Sequence, residues 1–126
     1  MTSSGKVSYR GKERRLCLRK RVTLPADIIR VNQMKFKRKW DHEVATDIGL
    51  SGLGIKSAKP LPAKANVTVA VLLHNDNTAL LTLDAKLVWT RPQNENRHKI
   101  YYMGLEFTKL DSEAKDKIQR FVDGTF

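Results

Sequence analysis

The sequence predicts a mainly β domain, in which several short strands form a barrel or a sandwich and one C-terminal helix packs on its mouth. Apolar and polar residues alternate between Leu80 and Arg91, which is typical of a strand with one buried face. Clusters of glycine, proline and asparagine recur at short intervals and separate the apolar runs. The chain ends in a stretch whose apolar residues have helical spacing, namely Ala114, Ile118, Phe121 and Val122.

The same patterns predict the individual elements. Residues 22–31 predict a first strand, in which Pro25 indicates a strand start or a sheet edge. Residues 92–97 predict a polar loop, and Asp111 or Ser112 is placed to cap the helix. Further strands are predicted at 40–46, after a glycine-rich turn within 48–55, and at 67–73, 80–91 and 100–107.

The length of 126 residues predicts one domain. Residues 1–13 have few large apolar side chains and predict a flexible basic tail, followed by the folded domain at 14–126. No run approaches the roughly 18 apolar residues of a membrane span, and the polar N-terminus does not resemble a secretory signal. The single cysteine, Cys17, fits a reducing compartment. We therefore expect a cytoplasmic protein.

The net charge of +11 is confined to one part of the chain. Residues 1–40 contain 13 lysines and arginines against two acidic residues, which already gives 13 − 2 = +11. The remainder, 41–126, contains 24 − 13 = 11 basic and 13 − 2 = 11 acidic residues and is neutral. Such asymmetry indicates an anionic partner, although a solvated basic tail would give the same count.

The sequence contains no pattern typical of an enzyme. His42, His74 and His98 do not have the spacing of a metal site. Neither a nucleophile elbow nor a phosphate-binding Walker loop occurs. We therefore expect a binding protein without catalytic residues, metal or cofactor.

A cluster of basic residues precedes the first predicted strand. It extends from Arg14 to Arg21 and includes Arg15 and Arg19, which are four residues apart. A guanidinium pairs bidentately with phosphate oxygens or with O6 and N7 of guanine, and its face stacks on a base. Arg15 and Arg19 can therefore fold onto one nucleotide. Basic tails are common, so this cluster alone does not identify the ligand.

A second cluster follows at 47–55. In it, Asp47 precedes Gly49, Ser51 and Gly52. A carboxylate at this place can accept hydrogen bonds from N1 and N2 of guanine, and the glycines permit a positive φ and a close approach of backbone N–H groups. The alternative is a tight turn in which Asp47 accepts hydrogen bonds from its own backbone.

Together, the two clusters make the sequence resemble the PilZ family. That family carries R-x-x-x-R followed by Leu-Pro, and here Arg15–Arg19 is followed at the same distance by residues 24–25. The second motif of the family is [DN]-x-S-x-x-G, and Asp47 and Gly52 match its two ends.

The later part of the chain strengthens the resemblance. Residues 87–91 and 103–107, followed by the amphipathic helix, are similar to the closing half of a PilZ domain, so the resemblance covers residues 14–123. It implies a six-stranded antiparallel β-barrel with a C-terminal α-helix. It also implies cyclic di-GMP, a dianionic dinucleotide, as the ligand.

The resemblance further implies how the ligand would be held. Arg15 and Arg19 would grip phosphate and guanine, and Arg14 would reach a second ligand molecule in a stacked dimer. Asp47 would read a guanine edge, and Gly52 would shape the turn beneath it. Binding would order the N-terminal segment against the barrel and create a surface for a downstream protein partner.

Two positions leave alternatives open. Gly49 stands where the motif has a serine, and the nearest hydroxyl belongs to Ser51. Losing one hydrogen bond to a charged group costs roughly 1.5–3 kcal/mol, a tenfold to hundredfold weakening, unless Ser51 replaces it. Trp89 would be a stacking surface or steric wall near the ligand, or else a core residue.

Two other functions remain open beside the cyclic di-GMP receptor. One is a PilZ-like adaptor that binds no dinucleotide and works through protein contacts, which Gly49 favours. The other is a nucleic-acid-binding β-barrel, which the basic first 40 residues favour. The lack of a clustered aromatic platform of the kind that binds single strands argues against nucleic acid.

Overall fold

The computed structural model describes residues 19–35, 43–73 and 80–124. The predicted tail at 1–13 lies outside the described residues, as do Arg14 and Arg15. The described elements are β1 (Arg19–Val31), β2 (Met34–Lys35), β3 (Val44–Gly49), β4 (Gly52–Ser57), β5 (Asn66–Leu72), β6 (Leu80–Glu95), β7 (His98–Lys109) and the helix α1 (Ser112–Asp123).

The described strands form one antiparallel sheet. Its order is β2-β1-β3-β4-β7-β6-β5, and β5 pairs in addition with β1. The six long strands therefore form a closed cycle of hydrogen-bonded neighbours, in which β1 serves two partners. The prediction of six antiparallel strands and a C-terminal helix is confirmed, and the two-residue β2 extends it.

The core lies on one face of this sheet. Apolar residues at every second position of β5, and of β6 as far as Leu87, are buried, and the intervening positions face outward. The largest side chains of this core with under 2% exposure include Ile48, Leu53, Ile55, Met103 and Leu105. Because the polar positions of β5 and β6 lie between these apolar ones, the sheet has an outer face that can carry functional side chains.

Pro25 lies inside β1 rather than at its start or at a sheet edge. The ladder to β3 ends with the pair Pro25–Val44, and the ladder to β5 begins with Ala26–Val71. The missing proline N–H therefore falls where the strand changes partner. A strand that is shared in this way needs no edge for its proline.

The prediction of a polar loop at 92–97 is wrong, because β6 and β7 continue through most of this stretch as a hairpin. Glu95 pairs with His98, and the turn consists of Asn96 and Arg97, whose φ values are 49° and 68°. Positive φ at both central residues is typical of a type I′ turn. The stretch is polar because β7 pairs with β4 only as far as Tyr101, so the hairpin projects into solvent.

The helix α1 begins where the sequence predicts. The Asp111 side chain accepts a hydrogen bond from the Ala114 N–H at 2.8 Å, and Gly124 ends the helix with φ 79°. Ile118 and Phe121 are buried, as the helical spacing predicts. Within the described residues, no helix is long and apolar enough to cross a membrane.

Candidate functional site

A row of directly opposed residues crosses the outer face of the sheet. Arg21 of β1 is opposite Asp47 of β3, which is opposite Gly54 of β4. Gly54 is in turn opposite Gly104 of β7, and Gly104 is opposite Trp89 of β6. Opposed residues of antiparallel strands share one face. Five strands therefore place a cation, a carboxylate, two glycines and an indole side by side.

Three β-bulges lie next to this row. The register shifts between Arg21 and Leu24 in β1, between Ala45 and Asp47 in β3, and between Leu87 and Trp89 in β6. A bulge inserts one residue and re-aims the side chains beyond it. Bulges in three strands at the same place indicate that this part of the sheet is shaped for its side chains.

Trp89 shows what such a bulge does. The alternation that buries Leu83, Ala85 and Leu87 would bury residue 89 as well. Because of the bulge, Leu87 is 4% exposed whereas Trp89 is 48% exposed. The core alternative for Trp89 is therefore wrong, and its indole lies on the outer face beside a pocket.

The two glycines of the row lie directly against Asp47 and Trp89. A Cβ on Gly54 would lie 2.6 Å from Oδ2 of Asp47, and a Cβ on Gly104 would overlap Nε1 of Trp89. Only the absence of a side chain at these two positions lets the carboxylate and the indole lie against the sheet. Gly54 and Gly104 therefore fix the positions of Asp47 and Trp89.

Asp47 lies within β3 and not in the turn that follows it. Its Oδ1 accepts a hydrogen bond from the Arg19 guanidinium, and the two side chains form an ion pair. Arg19 pairs along the backbone with Gly49, two residues from Asp47. The structure thus joins the first described arginine of the basic cluster to the carboxylate of the glycine-rich cluster.

The pocket beside this row encloses about 690 Å³ and opens to solvent. Its lining includes Arg21, Thr46, Asp47, Trp89, Arg91 and Tyr102. Asp47 is neutralised by Arg19. Within the described parts of the chain, neither Arg21 nor Arg91 has an acidic partner at salt-bridge distance. The pocket therefore combines two uncompensated guanidiniums with two aromatic rings.

A hydrogen-bonded network borders the pocket at Tyr102. The Tyr102 hydroxyl donates to Oε2 of Glu95 at 2.6 Å, and the Lys56 ammonium lies 3.0 Å from Oε1. Hydrogen bonds from Tyr102 and Lys56 lower the pKa of Glu95. The hydrogen bond to Glu95 raises the pKa of Lys56, and it likewise raises the pKa of Tyr102. The network keeps Glu95 ionised and holds the Tyr102 ring in place.

The three remaining predicted residues lie around the β3–β4 turn. Gly49 is buried at the end of β3, and the Ser51 carbonyl accepts from the Phe107 N–H at 3.0 Å. A Cβ on Gly52 would overlap the Leu105 carbonyl oxygen, so this glycine allows close packing of β4 on β7. Gly49 and Gly52 do not adopt the positive φ that glycine permits, since Gly124 alone has one among the described glycines.

Sequence reasoning missed five residues of the site. Arg21 and Arg91 could have been predicted from the sequence. Each lies two positions along a strand from a predicted residue, Arg19 or Trp89, and therefore shares its face. Tyr102, Gly54 and Gly104 follow only from the register of β4, β6 and β7. Opposed positions of distant strands leave no local pattern in the sequence.

The comparisons with known proteins concern the family and the fold of the chain. The family model of the PilZ domain matches residues 12–124, which confirms the resemblance seen in the two motifs. No curated protein sequence matches the chain significantly.

Two solved structures resemble the fold at low sequence identity. The Bacillus subtilis inhibitor of motility, MotI/DgrA, has a TM-score of 0.59 and 13% identity, covering 88% of this chain and 50% of that one. A Xanthomonas campestris protein, described as a tetrameric PilZ domain self-assembled through a helical bundle, has a TM-score of 0.51 and 15% identity, covering 71% and 47%. The chain thus spans about half the length of each of these proteins.

Proposed function

Because the chain belongs to the PilZ domain family, whose members are binding and adaptor domains, we propose that it is a receptor for cyclic di-GMP. The ligand binds without chemical change in the pocket between Arg21 and Trp89. The supporting observation is the Arg19–Asp47 pair beside two guanidiniums that have no carboxylate partner in the described chain. An anionic guanine nucleotide complements both features.

Each feature has a role in this proposal. The Asp47 carboxylate accepts hydrogen bonds from N1 and N2 of guanine, and Arg19 lies beside it to donate to O6 and N7. The Trp89 indole, with 48% exposure, offers a face on which a base stacks. Arg21 donates to phosphate oxygens, since it lines the same pocket at the other end of the row from Trp89.

Arg14 and Arg15 complete the proposal from outside the described residues. Arg15 joins Arg19 on the ligand, and Arg14 reaches a second ligand molecule if a stacked dimer binds. Arg19, Lys20 and Arg21 already belong to β1, so ligand-induced ordering concerns the residues before them. The newly ordered segment presents a surface to a downstream protein in the cytoplasm. Because one protein of similar fold is an inhibitor of motility, we propose a protein of motility regulation as the partner.

The adaptor that binds no dinucleotide remains the second candidate. Gly49 carries no hydroxyl at the serine position of the motif, and this observation favours the adaptor. Gly49 does not have a positive φ, however, so its backbone accommodates a serine without strain. Gly49→Ser therefore tests whether a missing hydroxyl limits binding.

Calorimetric titration distinguishes the candidates. Cyclic di-GMP is titrated into the full chain and compared with cyclic di-AMP, whose bases lack the guanine N1–H and N2 donors, and with a random oligonucleotide in moderate salt. We expect saturable binding of cyclic di-GMP alone, tightened up to about tenfold by Gly49→Ser. Asp47→Asn is expected to bind at least about tenfold more weakly.

Asp27→Asn serves as the matched control, because Asp27 is an exposed carboxylate of β1 that does not line the pocket. Circular dichroism verifies that each variant is folded. If neither the natural chain nor Gly49→Ser binds cyclic di-GMP at high micromolar concentration, the adaptor is correct. Preferred binding of the oligonucleotide would instead favour a nucleic-acid-binding domain.

A further inference from the structure

We infer that Arg91 of β6 is a ligand-contacting residue that binds a phosphodiester group, and that Tyr102 and Glu95 position it. This inference rests on the proposed function and extends it to a wall of the pocket that neither sequence motif includes. Arg91 lies in the centre of the β6–β7 hairpin, where its backbone pairs with that of Tyr102. It is therefore part of a strand ladder and not of a loop.

Two aromatic rings fix the direction of the Arg91 side chain. Its guanidinium carbon lies 5.6 Å from the centroid of Trp89 and 5.8 Å from that of Tyr102. Both distances are within the range of cation–π attraction. The five N–H donors of a guanidinium lie in its plane, so contact of its face with a ring leaves them available for hydrogen bonds. Arg91 lines the pocket, so a ligand in the pocket is within its reach.

A second cation beside the same ring shows why Arg91 is the residue available to a ligand. The Lys56 ammonium lies 5.8 Å from the Tyr102 centroid, the same distance as the Arg91 guanidinium carbon. Its charge, however, is compensated by Glu95 at 3.0 Å. No carboxylate of the described chain lies at salt-bridge distance from Arg91. Lys56 and Glu95 thus hold the Tyr102 ring while Arg91 retains an uncompensated charge.

The chemistry of the site fits a ligand with two phosphodiester groups. Arg21 and Arg91 line the same pocket, so a ligand with two anionic groups neutralises both. The planar guanidinium donates two parallel hydrogen bonds to the non-bridging oxygens of a phosphate while its face stays on an indole. Lysine has neither the planar face nor the fork, so it is a poor substitute at this position.

The first test compares three variants of the hairpin by calorimetry with cyclic di-GMP. Arg91→Ala is expected to bind about tenfold to hundredfold more weakly. Arg91→Lys is expected to recover only a small part of this loss, since it restores the charge without the stacking face. The matched control is Arg97→Ala, which removes an exposed arginine from the turn of the same hairpin and is expected to leave the affinity unchanged.

The second test separates positioning from general stability. Tyr102→Phe removes the hydroxyl that donates to Glu95 but keeps the ring. We expect it to weaken binding several-fold in the natural chain and to have no further effect in an Arg91→Ala background. A double-mutant cycle of dissociation constants measures this coupling. Equal losses in both backgrounds would show that Tyr102 does not act through Arg91.

The outcomes separate this inference from the proposed function. If the natural chain does not bind cyclic di-GMP, the proposed function is wrong. If it binds and Arg91→Ala binds equally well, the receptor stands and Arg91 has no part in it. A similar loss in Arg91→Ala and Arg97→Ala would also overturn the inference, because the effect would then come from overall charge.

Discussion

At the scale of single residues, the candidate site depends on two glycines as much as on charged side chains. Asp47 and Trp89 are the groups that can recognise a nucleotide, yet each occupies space that a Cβ on Gly54 or Gly104 would take. Gly52 has a different function, since the group above it is the backbone of Leu105. A substitution at one of these glycines therefore has a cost that depends on whether its neighbour is able to move.

We predict that Gly104→Ala and Gly52→Ala differ in both stability and binding. The Cβ at residue 104 meets the half-exposed indole of Trp89, which can swing outward, so the free energy of unfolding falls by about 1 kcal/mol. The Cβ at residue 52 meets the Leu105 carbonyl within the ladder, so the expected loss is about 3 kcal/mol. Urea denaturation measures both values.

Ligand binding gives the second readout of this comparison. A displaced indole no longer lies in place for stacking, so Gly104→Ala is expected to weaken cyclic di-GMP binding. In a Trp89→Ala background the same substitution should have no effect on affinity. An undiminished effect in that background would show that Gly104 does not act through the indole.

At the scale of the elements, the sequence predicted strands well where one face is buried along the whole length. The alternation of Leu81, Leu83, Ala85 and Leu87 located β6 correctly, and Asp111 located the start of α1. The alternation failed at Trp89, where a bulge changes the phase of the strand. It also failed beyond Arg91, where both faces of the hairpin are exposed and no periodicity distinguishes strand from loop. The row of opposed residues could not be predicted from local sequence patterns, because it depends on the register between strands that are distant in the chain.

The hairpin network makes a prediction about pH. Hydrogen bonds from Tyr102 and Lys56 lower the pKa of Glu95 from its ordinary value of 4.5. Ionised Glu95 therefore stabilises the fold at any pH above that ordinary pKa. This contribution is lost as the pH falls through the lowered pKa. We expect the melting temperature of the natural chain to exceed that of Glu95→Gln at pH 7, and this difference to shrink as the pH falls below 4.5.

The two partners of Glu95 extend the prediction to alkaline pH. The pKa values of Lys56 and Tyr102 are both raised by the hydrogen bond to Glu95, so their contributions are lost only as the pH rises through those raised values. Between the acidic and alkaline limits the difference should stay constant. Glu106→Gln, at an exposed position of β7, is the control. A difference that is constant down to pH 2.5 would contradict the role of Glu95.

At the scale of the whole molecule, the start of β1 joins the candidate site to the helix. Arg19 pairs with Asp47 at the outer face, and the next residue, Lys20, contacts α1. The Lys20 ammonium donates to the Phe121 carbonyl at 3.2 Å and lies 4.6 Å from the centroid of the Phe121 ring. A cation at this place also interacts favourably with the C-terminal end of the helix dipole. One short segment therefore contacts both the recognition carboxylate and the last turn of the helix.

This arrangement predicts that ligand binding stabilises the C-terminal turn of α1. If cyclic di-GMP holds Arg19 in place, the neighbouring Lys20 is held as well, and opening of the helix end becomes less frequent. Amide hydrogen exchange of the full chain, with and without cyclic di-GMP, should show slower exchange at residues 19–21 and at 120–123 in the presence of ligand. Lys20→Met keeps the length of the side chain and removes the cation. It should abolish the effect at 120–123 and leave the affinity for the dinucleotide within a few-fold of the natural chain. Lys115→Met, at an exposed position of α1, should change neither. Unchanged exchange at the helix end of the natural chain, or an effect that persists in Lys20→Met, would show that the strand and the helix respond independently.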